Sequence, residues 1–418
     1  MNRKTVRLRS CAEILGWLEN ALDFAQRSIP YLATPSVHGT ESPSFKREKF
    51  IAETALFLYA AEKSVERYPQ LSVAVANLSL ALLPHSRSEL LLTSMRLRPM
   101  VAPEMAVAHV CLTRLGYPDS QFQKELERIL AASVVGMFER VPWKDIEADW
   151  LAEIGGPRLS NNVRSAVRRC TLATGLDALS ARRQEIYAFT HSLIYLTDFG
   201  RRLPRLPRPA SAIIGDADAA LVRCLDEDDF DLAAEILLTW PYLRVKWTPT
   251  AIFGMGVLAR LENQVGVLPS LSLRQEELSC LHEGKRAHYV ADEAYHTAYV
   301  MGLLSAALLD SSRTPPATLP TRPNRGASQC FHSLLLKREP IPQWQTDFSS
   351  LPNSQQESLI PLLATVGLRR ALIQYDFRQF HRILEASIEH GLTLIPSVRQ
   401  GAELLSRLVV RSVKTDTH

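Results

Sequence analysis

Gln184-Glu185-Ile186-Tyr187-Ala188-Phe189-Thr190-His191-Ser192-Leu193-Ile194-Tyr195-Leu196-Thr197-Asp198 is an unbroken helix-compatible run, apolar on most of its circumference. A second run has the same character: Tyr289-Val290-Ala291-Asp292-Glu293-Ala294-Tyr295-His296-Thr297-Ala298-Tyr299-Val300-Met301. A helix repeats every 3.6 residues, so positions four and seven apart share a face. On that spacing Tyr187, His191, Tyr195 and Asp198 line one side of the first helix. Tyr289, Asp292, His296 and Tyr299 line one side of the second. The apolar remainder puts both helices in a core. A buried ionisable group costs several kcal/mol unless it is paired, neutralised or metal-bound. Two such stripes therefore mark an expected site.

The same periodicity recurs along the chain, for example over 47–67, 120–138, 248–262, 355–373 and 396–412. Period-two alternation flanked by hairpin turns is scarce. The expected fold is all-α, with helical hairpins packed as an α/α toroid or closed helical array. Proline-rich stretches at 28–46, 201–210, 311–326 and 337–354 read as connectors, with 311–326 the candidate for a mobile one. One echo supports reused hairpins. Asp229-Phe230 and Asp376-Phe377 each precede an Ile-Leu pair by the same interval, which fits Asp as a helix N-cap. Residues 1–150 read as an N-terminal helical layer. Residues 151–418 read as the helical core carrying the site, the two forming one continuous domain.

Composition narrows the function. At 418 residues with 46% hydrophobic side chains the chain can bury a large core. Its formal charge of +4 is spread over local Arg pairs, so a nucleic-acid partner is not expected. No apolar run approaches the roughly 20 residues that cross a bilayer, so no membrane partner is expected. The basic N-terminus lacks a following apolar core and cleavage site, which makes cytoplasmic residence the expectation. The six cysteines are scattered singly and fit free thiols rather than a zinc ribbon or redox pair. Walker, dinucleotide-binding, Gly-x-Ser-x-Gly and His-Glu-x-x-His signatures are all missing, which lowers the nucleotide, acyl-transfer and metalloprotease classes.

The stripes suggest chemistry at two levels. Asp292 and His296 are one helical turn apart and can reach one centre. If the helices face each other, His191 joins them as a two-His, one-carboxylate set suited to Fe(II) or Zn²⁺. Asp198 then acts as a supporting partner or general base, and Tyr187, Tyr195 and Tyr299 as acids, donors or stacking surfaces. Without a metal the same His, Asp and Tyr residues form an acid–base set. The competing reading is a non-catalytic scaffold or ligand-binding protein whose stripes are satisfied buried networks.

Other features are weighed the same way. His109, in an apolar helix ending at Gly116, reads as a core residue. Trp240-Pro241-Tyr242-Leu243-Arg244-Val245-Lys246-Trp247 reads either as a pocket wall or as a packed hinge. Asp226-Glu227-Asp228-Asp229 matches the Asp-x-Asp-Asp acid of class II terpene cyclases over four residues, without that family's Gln/Trp repeats. A metal-free cyclase is the alternative it raises, and an acidic helix N-terminus explains it more simply.

Thr190 to Gly200 and Tyr295 to Leu304 resemble segments of uncharacterised bacterial all-helical proteins associated with natural-product gene clusters, a likeness extending from about residue 100 onward. The resemblance implies an enzyme of bacterial secondary metabolism. Its substrate would be small or carrier-bound and held in a central helical cavity.

Overall fold

The computed structural model describes residues 10–33, 43–131, 140–156, 163–310 and 312–415. Among the described residues there are helices and connecting turns but no strand, so the all-α expectation holds. No helix is long and apolar enough to cross a membrane. The expected helix at 120–138 is seen as Ser120–Ala131, and its remainder lies outside the described residues. Residue 311 of the expected mobile connector also lies outside them. Of its described part, Arg313 and Leu319 are buried against the core.

The fold is organised around Glu283–Leu308, a helix of 26 residues and so about 39 Å long at 1.5 Å per residue. Cys11–Ser28 and Pro43–Val65, from the N-terminal layer, pack along it, as does Phe230–Leu237. The approach is closest at Gly302. A Cβ there would lie 2.5 Å from the Phe57 ring and 2.9 Å from the Ala21 methyl, so only glycine lets three helices converge. Hairpins pair Ala210–Asp226 with Phe230–Leu237 and Ile360–Ile373 with Phe377–Glu389.

These two hairpins use the same turn, as the sequence echo suggested. In the first, Asp228 adopts φ 53° and Asp229 caps the next helix by accepting from the Leu232 N–H. In the second, Tyr375 adopts φ 56° and Asp376 accepts from the Gln379 N–H. The backbone closes alike, Asp229 N–H donating to Cys224 and Asp376 N–H to Ala371. Left-handed residues satisfy the outgoing helix's carbonyls and the aspartates satisfy the incoming helix's N–H groups.

Candidate functional site

Four helices supply the site. The first turn of Arg183–Leu196 is docked by Arg183, whose Nε donates to Asp229 at 2.8 Å and whose Nη2 donates to Asp231 at 3.1 Å. Further along, the Thr190 hydroxyl donates to Glu235 at 2.5 Å. These two tethers bring His191 to 3.6 Å from the Glu235 carboxylate. Arg183 and Thr190 are thus positioning residues. The His191 Nδ1 lies 3.1 Å from the Tyr187 carbonyl, which accepts its proton.

His296, on the long helix, is the hub. Its Nδ1 sits 3.0 Å from Glu53 on Pro43–Val65, and its Nε2 sits 3.2 Å from Asp231 Oδ1 and 3.4 Å from Glu235 Oε1. One atom each from Asp231, Glu235 and His296 lie within 4.8 Å of one another. At metal–ligand bonds of about 2.0–2.2 Å, neighbouring ligands in tetrahedral or octahedral shells stand roughly 3.0–3.5 Å apart, as the two His296 distances do. Asp231 Oδ1 is fully buried and accepts no hydrogen bond among the described residues, despite lying beside the imidazole. That orientation suits a lone pair shared with a cation better than one receiving a proton from His296.

Three carboxylates around one imidazole make the site negative, and protonated His296 is one cation that answers it. Burial opposes charge on His296, but the Asp231 and Glu53 carboxylates and hydrogen bonds to Glu235 and Glu53 outweigh it and hold its pKa well above the ordinary value. Burial pushes Asp231 up to about 6, against the pull of His296. Burial acts upward on Glu235 too, yet His191 and His296 bring it below its usual range. His191 is pushed down by burial and so favours its neutral form.

The cluster opens onto a cavity of about 460 Å³. Leu56, Val101, Met105, Ile194 and Leu303 supply apolar wall, and Trp143 lines one side with its ring centre 5.0 Å from that of His191, the two rings meeting edge to face. The charges around it are matched: Arg98 with Glu48 at 3.1 Å, Lys144 with Glu147 at 2.7 Å and Glu104 at 3.4 Å.

The two stripes do meet, but not through all the residues expected. Tyr187, His191, Tyr195, His296 and Tyr299 all line the cavity. Tyr187 stacks on His191 at 3.7 Å, Tyr195 donates to Glu147 at 2.6 Å, and the Tyr299 hydroxyl pairs with Thr54 at 2.8 Å. Asp198 lies elsewhere. The helix ends at Leu196, and φ 50° at Asp198 turns it away. Its Oδ1 accepts from Tyr59 at 2.9 Å and Trp150 at 2.7 Å, which is a structural role. Asp292 also leaves the cluster: it faces His288 at 3.5 Å, one turn below His296. Tyr289 sits lower still, donating to Glu277 at 3.1 Å.

Spacing on single helices concealed the real partners. Asp231 and Glu235 are an i, i+4 carboxylate pair inside an otherwise apolar helix, a signal the acidic run just before them masked. Glu53 is one of three glutamates on its helix, with Glu48 and Glu62, and nothing in their spacing singles it out. In the Asp-x-Asp-Asp run, Asp226 pairs with Arg370 at 2.6 Å and accepts from Trp344, Asp228 accepts from the Gln343 N–H, and Asp229 is the cap. None of the four lines a cavity described above. His109 is held between Arg87 and Gln123, away from the site.

An all-α chain with a His–carboxylate cluster opening on an internal cavity is the class this architecture defines. The chain belongs to the family described as a domain of unknown function, DUF6895, whose profile matches residues 18–306. The match spans Glu53, His191, Asp231, Glu235 and His296, and it runs through residue 150, the expected border of the N-terminal layer. No curated protein and no solved structure matches the chain.

Proposed function

We propose that this protein is a metal-dependent enzyme acting on a small or carrier-bound, largely apolar substrate. Asp231, Glu235 and His296 would hold Fe(II) or Zn²⁺, with Glu53 orienting His296 through Nδ1 and His191 standing at the cavity wall as an acid–base group. The observation that carries this reading is the convergence of those three ligand atoms, with a buried Asp231 oxygen accepting no hydrogen bond, beside a largely apolar cavity that Glu235 and His296 line. A divalent cation there supplies Lewis acidity and lowers the pKa of a bound water. Tyr187 stacks on His191 and Trp143 meets it edge-on, and together they shape the approach. The resemblance to bacterial proteins of natural-product gene clusters supports a biosynthetic setting in the cytoplasm.

Metal content of the purified chain tests this. We expect about one equivalent of iron or zinc per chain, and its loss in His296→Ala and Glu235→Gln variants that keep their helical circular dichroism. At a metal concentration 100 times Kd the fold should gain about 2.7 kcal/mol, visible as a rise in Tm. A metal-free wild type whose Tm ignores added Fe(II) and Zn²⁺ overturns the reading. That outcome favours the second one, a buried network in a ligand-binding protein, for which the observation is that both His296 nitrogens already face carboxylates.

A further inference from the structure

A second cavity, of about 260 Å³, lies on the other side of Phe199 and Leu303, which line both. Its character is different. Lys63, Arg67 and Arg313 line it, against Glu66 and Asp310. Arg201 and Arg244 are close enough that they and Arg313 add to burial in lowering the Lys63 pKa. The cations are only partly matched, Asp310 being the carboxylate that acts on both Arg313 and Lys63. Lys63 makes no hydrogen bond or ion pair among the described residues, and Arg67 donates only to the Leu309 carbonyl, at 3.2 Å. Arg313 is 5% exposed. Its Nη1 donates to the Gly200 carbonyl at 3.0 Å. Its Nε lies 3.0 Å from Asp310 but in no hydrogen-bonding geometry. Gly200 is what lets this happen: at φ 74°, a Cβ would lie 2.5 Å from the Tyr242 ring and 3.1 Å from Arg313 Nη1.

A buried guanidinium whose Nε makes no hydrogen bond, with Lys63 and Arg67 beside it and Asp310 acting on both Arg313 and Lys63, leaves three cations facing two carboxylates, an excess that an anion can answer. Converging Arg and Lys donors suit the several oxygens of a phosphate better than a single carboxylate. The main cavity, by contrast, is largely apolar with matched charges, and it shares the Phe199 and Leu303 side chains with this one.

We infer that the second cavity binds the phosphate end of a ligand whose apolar body passes Phe199 and Leu303 into the main cavity. The inference rests on the main cavity being the substrate site, but the anion contacts do not depend on a metal. Two sources share this chemistry, a free phosphorylated small molecule and a phosphopantetheine arm.

Titration calorimetry at constant ionic strength tests it with inorganic phosphate, hexyl phosphate and 4′-phosphopantetheine on the full chain. Phosphate should bind saturably. The Lys63→Gln/Arg67→Gln variant, changed only at exposed side chains, should lose at least tenfold in affinity, while His296→Ala should bind as wild type does. Hexyl phosphate or phosphopantetheine should bind at least tenfold more tightly than phosphate, and the tighter of the two identifies the source. Phosphate binding that is absent, that survives the double variant, or that disappears in His296→Ala overturns the inference, the last because it places the anion on the metal. No gain from either chain-bearing probe overturns it as well. Metal analysis fails or succeeds separately, so the two proposals can be told apart.

Discussion

Asp198 shows how a residue can be conspicuous for the wrong reason. It stood out as an acid near a His and Tyr stripe, yet it is the shared acceptor of the Tyr59 hydroxyl and the Trp150 indole. Asp198→Ala strands two donors in the core and should cost about 2–3 kcal/mol, read as a lower urea midpoint at unchanged m-value. Asn tolerates the same left-handed backbone and should cost less. Asp218 carries a different consequence. Burial raises its carboxyl to about 7, while a hydrogen bond from Thr248 works the other way. The native state therefore keeps a proton that the unfolded chain releases near pH 4. This group's contribution to stability is fully present below about pH 4 and is lost as the pH rises through 7. Asp218→Asn should flatten the decline between pH 4 and 7, which unfolding at pH 5 and 8 would reveal. At this scale the sequence disclosed His191, His296, Tyr187 and Tyr195 through helical spacing. It did not disclose Glu53, Asp231 or Glu235, because their importance comes from which helices cross, and spacing within one helix carries no such information.

At the scale of elements, capping chemistry was legible and close packing was not. Both aspartates read as caps from the sequence are caps. Asp376→Ala should cost about 1 kcal/mol, and Asp229→Ala more, since it also frees Arg183 from its 2.8 Å ion pair. The glycines of the long helix show what sequence cannot say. Gly284 has nothing within 4 Å of its absent Cβ, whereas Gly302 faces Phe57 and Ala21. Helix propensity alone favours alanine at both by up to about 1 kcal/mol. Gly284→Ala should raise stability by about 0.5 kcal/mol, the position being in the first turn. Gly302→Ala should lower it by about 1–3 kcal/mol, because overpacking exceeds the propensity gain. Thermal melts of the pair, opposite in sign, check both.

At the scale of the molecule, the all-α class was plain from periodicity, while the convergence of helices from distant parts of the chain was not. Cys11–Ser28 and Pro43–Val65 return onto Glu283–Leu308, and the cavity lies where Pro43–Val65 and that long helix meet the Phe230–Leu237 and Arg183–Leu196 helices. Glu53 and His296 are 243 residues apart in sequence, yet one hydrogen bond joins them. Contacts of such range form late, since closing a long loop must precede any reward from them. The cluster is thus a coincidence detector for its own synthesis. A nascent or truncated chain ending before residue 296 holds Glu53, Asp231 and Glu235 but lacks the imidazole that gathers them. Loading of the site, if it takes a metal, would then report that synthesis has passed the long helix and that helices from the two ends of the matched region have met.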